Sequence, residues 1–224
     1  MSTEITVRGT FSAFRPAERG TVHTTVAYEG PDMEPVYARV ATDLAELKSS
    51  VIALEEQGTV TWWSADHLRT WSNRPRNNEG KQLPLVHHAS VGVEVKFRDF
   101  AALSRWVGQH VAEIEGFRVS QVEWALTEKQ REMLLADART RAVRDAVTRA
   151  QQYADALGLG AVTPVAIADA GMLNTAPESR LQAAYLRAGA PGAGPAAELA
   201  PEDIEVSATV DARFVAGPHG GGAA

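Results

Sequence analysis

LLADARTRAVRDAVTRAQQYADALGLG, residues 134 to 160, decides the fold, because its period is the least ambiguous in the chain. Asp137, Arg141, Asp145 and Arg149 recur every four residues with alternating sign. That is a solvated helix face whose i,i+4 pairs contribute a few tenths of a kcal/mol each. Leu135, Ala138, Ala142, Ala146, Ala150, Tyr153 and Leu157 make the opposite side, and so much alanine lets a helix lie close to a sheet. Thr127 to Gln130 reads as a capping box at its start, and Gly158 as its C-terminal cap. A strand, VTPVAIADAG (162 to 171), follows, and after a Pro/Ala/Gly-rich stretch comes another, DIEVSATVDARFVA (203 to 216).

Working back toward the N-terminus, residues 4 to 14 and 21 to 28 alternate apolar and polar side chains. Both read as half-buried strands, and the short RPAERG link predicts a hairpin between them. From Asp32 the period becomes helical, with Val36, Val40, Leu44, Leu47, Val51 and Leu54 on one stripe before Gly58. Strands are expected at 59 to 72 and 84 to 97. Asp99 then caps a helix with the stripe Leu103, Trp106, Val107, His110, Val111 and Ile114, and a strand at 117 to 126 follows. The order ββαββαβαββ predicts an α+β fold, a mainly antiparallel sheet of about seven strands with three long helices on one face. A single domain over 1–216 is expected, with 171–202 as a flexible insertion carrying a short helix and 217–224 as a disordered tail. Because ββα occurs twice in the first 115 residues, a duplicated pair of subdomains stays open.

The chain has 224 residues, 45% of them apolar, enough for a sizeable core. Its formal charge of −6 and lack of a dense basic cluster argue against nucleic acid and anionic membrane surfaces as partners. With no cysteine there are no disulfides, zinc-thiolate sites or thiol catalysis. The start, MSTEITVRGTFSAF, lacks the features of a secretory signal and no window approaches a membrane span, so a cytoplasmic protein without membrane insertion is expected.

The helix-strand stretch ADARTRAVRDAVTRAQQYADALGLGAVTPVAIADAG is similar to the signature AR..A...A...A...A..LG...G.V..I.E of the SIMPL-domain family, named for a signalling protein associated with a pelle-like kinase. APEDIEVSATVDARFVA resembles that family's closing strand. ITVRGT, LEEQG and the segment from His88 to Phe97 match more loosely, so the likeness runs over nearly the whole chain. The resemblance implies an α+β fold, homo-oligomers, bacterial envelope or stress-linked roles, and protein partners in the animal branch. It implies no enzymatic activity, and no catalytic residue can be carried over. The chain departs from it in two places: most bacterial relatives look exported, and RPAERG replaces the usual Pro-Asp after the first strand.

No residue set converges on a reaction. His87 and His88 alternate to opposite faces of a strand, so a metal site would need His88 together with His23 or His67 and Glu94. Glu55/Glu56, Glu113/Glu115 and Glu202/Asp203 are carboxylate pairs at helix ends or in loops, where solvated charge is the default. Ser64, Asp66 and His67 have triad chemistry by type but no nucleophile elbow. Gly189, Gly192 and Gly194 belong to the connector, not to a phosphate loop. We therefore expect no catalytic, metal or cofactor site. The expected function is a non-enzymatic domain that self-associates and binds a protein partner. Its interface residues are Leu181, Tyr185 and Leu186, on the capped stretch Pro177 to Ala188, with Trp62 and Trp63. The alternative is a small-molecule binder or enzyme with a tryptophan-lined pocket. A polar sheet face bearing Thr6, Arg8, Thr10, Thr21, His23, Thr25, Ser207, Thr209 and Asp211 is expected opposite the helices.

Overall fold

The chain runs β1 (Thr3–Pro16), β2 (Arg19–Gly30), α1 (Met33–Glu56), β3 (Val60–Ala65), β4 (Arg69–Asn73), β5 (Val86–Phe97), α2 (Phe100–Glu113), β6 (Phe117–Ala125), α3 (Glu128–Ala156), β7 (Thr163–Asp169) and β8 (Asp203–Ala216). This computed structural model describes residues 2–173 and 201–218. The α+β class with antiparallel sheets holds, with three helices and eight strands among the described residues. The expected strand at 59 to 72 breaks around Asp66 to Leu68 into β3 and β4, which pair one after the other along β5.

The strands form two sheets, one of five strands and one of three with the order β1-β8-β7. The hairpin expected between β1 and β2 does not form, because the two strands lie in different sheets. Alternation fixes which face a strand buries but not its neighbour. A two-residue hairpin also needs residues that accept positive φ, which Ala17 and Glu18 do not readily do. The described chain accordingly divides into two compact units, one holding β2 to β6 with α1 and α2, the other β1, α3, β7 and β8.

In the first unit β2 pairs along its length with β5, setting Val22 against Val95 and Val26 against Val91. These valines, with Val93 and Phe97, bury one sheet face under α1 and α2. The α1 stripe lies as its spacing predicts, with Val36, Val40, Leu47 and Val51 buried. On α2 the Asp99 side chain caps Ala102 N at 2.9 Å, while Val111 lies outside the buried stripe. Buried His110 fills that stripe. Its Nδ1 faces the Trp106 carbonyl at 2.7 Å, and Ser50 Oγ meets both His110 Nε2 (3.2 Å) and Trp106 Nε1 (3.0 Å).

In the second unit Leu134, Ala138, Ala142, Ala146, Ala150 and Ala154 are buried on α3. Tyr153 and Leu157, expected on that face, are exposed. A strict spacing of four advances about 40° around the helix per step, so the buried line winds away from positions reached by steps of three. Thr127 is the N-cap, but its side chain makes no capping hydrogen bond, so the hydroxyl half of the expected capping box does not form. The alanines allow a very close approach to β1. A β-carbon on Gly9 would overlap the Ala142 carbonyl oxygen and lie 2.7 Å from Ala146 N.

Candidate functional site

Alternation sends the even-numbered residues of β5 and the odd-numbered ones of β2 to the face of the five-stranded sheet away from α1 and α2. There His23 sits between two carboxylates, Nδ1 at 3.2 Å from Glu94 and Nε2 at 3.7 Å from Glu123. His88 is opposite Glu29, and its ring is held by Glu29 (3.3 Å), Asn73 (3.0 Å) and a parallel stack on Trp71 at 5.1 Å. His23 and His88 thus lie six register positions apart along β5, about 20 Å. The combination of His88, His23 and Glu94 does not assemble. His87 is hydrogen bonded to Ser72 at 2.7 Å. Among the described residues no three His, Asp or Glu side chains are placed to hold a metal ion.

The five tryptophans are spread over different surroundings. Trp62, 44% exposed, lies on the polar face with the Lys96 ammonium 5.4 Å from its ring centre. Trp63 turns to the other side, packs against the core and donates to Glu55 at 3.2 Å. Trp71 lies beside His88, eight register positions from Lys96, about 27 Å along the sheet. Trp106 is in the core, and Trp124 meets Phe100 edge-on. A shallow cleft of about 220 Å³ between Tyr28, Pro31, Asp32, Pro35 and Arg39 contains no tryptophan. In it the Arg39 guanidinium lies over the Tyr28 ring and pairs with Glu115. Burial raises the Tyr28 phenol above its ordinary pKa, and its hydrogen bond to Asp43 acts in the same direction. A phenol held protonated in this way is a poor base.

Glu113 accepts from Gln109, and no hydrogen bond links Ser64, Asp66 and His67 among the described residues. In the three-stranded sheet Asp211 is buried and doubly bonded by Arg8, Nε to Oδ1 at 2.8 Å and Nη2 to Oδ2 at 3.3 Å, and it also accepts Gly171 N at 2.7 Å. The Arg8 hydrogen bond depresses the Asp211 pKa against the opposing effect of burial. The expected polar face is therefore split between the two sheets, and its one buried acid ties the turn after β7 to β8.

The outer strands of the three-stranded sheet are finished differently. On β1 the Thr10 N–H is taken by Asp145 of α3 at 2.9 Å, and the Arg141 guanidinium lies over Phe11 at 4.9 Å. That hydrogen bond holds the Asp145 carboxyl below its ordinary pKa. On β7, which pairs with β8 alone among the described residues, the flank is apolar and open. Val147 of α3 is 43% exposed, Val165 58% and Ile167 56%. They border a cleft of about 290 Å³ whose floor is Ala212 and Phe214. A register shift between Pro164 and Ala166 bends this strand. The signal for this edge was present in the sequence, as Val143 and Val147 beside the alanine stripe and Val165 and Ile167 at alternate strand positions. Leu181, Tyr185, Leu186, the stretch Pro177 to Ala188 and the glycines at 189, 192 and 194 lie outside the described residues.

No described helix is long and apolar enough to cross a membrane. The SIMPL family model, described as a protein of unknown function (DUF541), matches residues 5–214. No curated protein matches the chain.

Proposed function

The chain belongs to the SIMPL family, and from that premise we propose that it works as a non-enzymatic module that self-associates and, once assembled, binds a protein partner. The observation that supports this reading is the contrast between the two outer strands of the three-stranded sheet. Open strand edges template pairing with other chains, and proteins commonly protect them with charge or cover. Asp145 and Arg141 do so on β1, while on β7 Pro164 and a register shift blunt only the first residues and, among the described residues, Val147, Val165 and Ile167 stay exposed beyond them. Trp62 on the polar face of the other sheet, and Leu181, Tyr185 and Leu186 of the connector, are proposed as further contact residues. Trp63 has its ring against the core.

Light scattering of purified protein at tens of micromolar tests the reading: an oligomer is expected, and a strict monomer would end it. A pull-down from the native host tests the partner, and cell fractionation tests the proposed cytoplasmic location. The two units are further proposed to form one SIMPL domain over 1–216. All five tryptophans lie between β2 and β6, so their fluorescence follows one unit, while the far-UV helical signal sums α1, α2 and α3 over both units. Coincident unfolding transitions support a single domain, and separated ones count against it.

A further inference from the structure

We infer that the free side of β4, with the basic hairpin that continues it, takes an extended acidic segment of a partner protein as an added strand. This rests on the partner binding proposed above and names its surface and the chemistry of what docks there. Among the described residues β4 pairs with β5 alone, and no backbone hydrogen bond reaches Arg69–Asn73 from its other side. Strand addition to such an edge takes affinity from main-chain hydrogen bonds and selectivity from side chains.

The charges supply the selectivity. Arg69, Arg74, Arg76 and Lys81 are exposed and form no ion pair among the described residues, and Glu79 is the one acid between 69 and 81, in a chain of net charge −6. Cations on a strand edge discourage pairing with most segments. An acidic strand turns that repulsion into attraction, so the same groups exclude and select. From Arg69 to Arg76 is about 23 Å of extended chain, the length of a segment of roughly seven residues.

The hairpin is held by its own hydrogen bonds. Arg76 bridges to Gln82, and Leu83 N donates to the Pro75 carbonyl at 2.8 Å. At the tip Asn77 Oδ1 accepts from Glu79 N at 3.1 Å and Lys81 N at 2.8 Å, and Gly80, with φ of 79°, closes the turn. A docking strand therefore meets a surface whose ordering cost is already met. Trp71, 48% exposed and stacked on His88, and Leu83, 41% exposed, offer it apolar contact.

Fluorescence anisotropy with a labelled peptide of about eight residues, alternating glutamate and valine, tests the inference against a lysine–valine counterpart. The acidic peptide should bind at least about 10-fold more tightly, and Arg74→Glu with Arg76→Glu should weaken it by at least about 10-fold. Arg139→Glu with Arg144→Glu, the same charge change at exposed positions of α3, should leave binding unchanged. A version of the peptide N-methylated at every residue should not bind, because it has no N–H to donate. No binding by the acidic peptide, equal binding by the lysine or N-methylated version, or equal loss in the α3 pair overturns the proposal. So does equally tight binding of a short single-stranded DNA, which would make the arm a general polyanion site. A partner captured from the native host and retained by the Arg74→Glu, Arg76→Glu protein overturns this edge but leaves partner binding standing. With neither peptide bound nor partner captured, both fall.

Discussion

Replacing Gly9 with alanine tests the closest packing in the protein. The added methyl would overlap the Ala142 carbonyl oxygen, with Ala146 N at 2.7 Å and Ala146 Cβ at 2.8 Å. Two of those three atoms are backbone, so no side-chain rotation relieves them. The helix cannot easily retreat either, since Ala142, Ala146, Ala150 and Ala154 are buried with β8 residues and Asp145 holds Thr10 N. Overpacking of this kind costs about 1–3 kcal/mol, and the backbone contacts place Gly9→Ala at about 3 kcal/mol. For a chain of this length that corresponds to a fall in Tm of roughly 6–12 °C. The change should be followed by far-UV circular dichroism, to which α3 contributes, because every tryptophan lies in the other unit. Adding Ala146→Gly removes one of the three contacts and costs about 1 kcal/mol in helix propensity, so it should not restore stability. A Gly9→Ala protein that melts within about 1 °C of the parent, or a full rescue by Ala146→Gly, would refute the argument.

Asp211 has a folded pKa below its unfolded value, so its contribution is present above pH ~4 and lost as pH falls through the folded pKa. Asp145, also depressed, acts in the same direction. Asp211→Asn should destabilise by about 1–3 kcal/mol at pH 7 and flatten the fall in Tm between pH 5 and pH 2; an unchanged acid slope would exclude the Arg8 pairing as its source. Ser50→Ala leaves the Trp106 indole N–H and His110 Nε2 without their shared partner. The expected cost is about 1–3 kcal/mol in urea unfolding followed by tryptophan fluorescence, and a neutral result would show that the network is dispensable. Replacing residues 176 to 200 by a short Gly/Ser linker should leave Tm nearly unchanged while altering the size of any oligomer, read by light scattering. Unfolding would instead place that segment in the core.

Much was legible without coordinates because it depends on period and chemistry along the chain. The α1 stripe, the Asp99 cap and the apolar face of β5 follow from local spacing. So does the close approach of α3, since a row of alanines presents little side chain. The lineage was readable for the same reason, from the helix-strand signature and the closing strand. The functional surface was only partly legible. Leu181, Tyr185 and Leu186 form a local stripe visible in the sequence, but the apolar character of β7 and of the neighbouring α3 flank becomes a surface only when the two are side by side.

What the chain determined by itself is each segment's period, its buried face and its family, because these need only neighbours within a turn or two. The tertiary structure alone decided that β1 and β2 part into separate sheets, that His23 meets Glu94 while His88 meets Glu29, and that, among the described residues, β7 pairs on one side only. Alternation makes any strand a suitable partner for several others. Which pairing wins depends on burial summed over residues far apart in sequence, such as Gly9 under Ala142 and Arg8 beside Asp211.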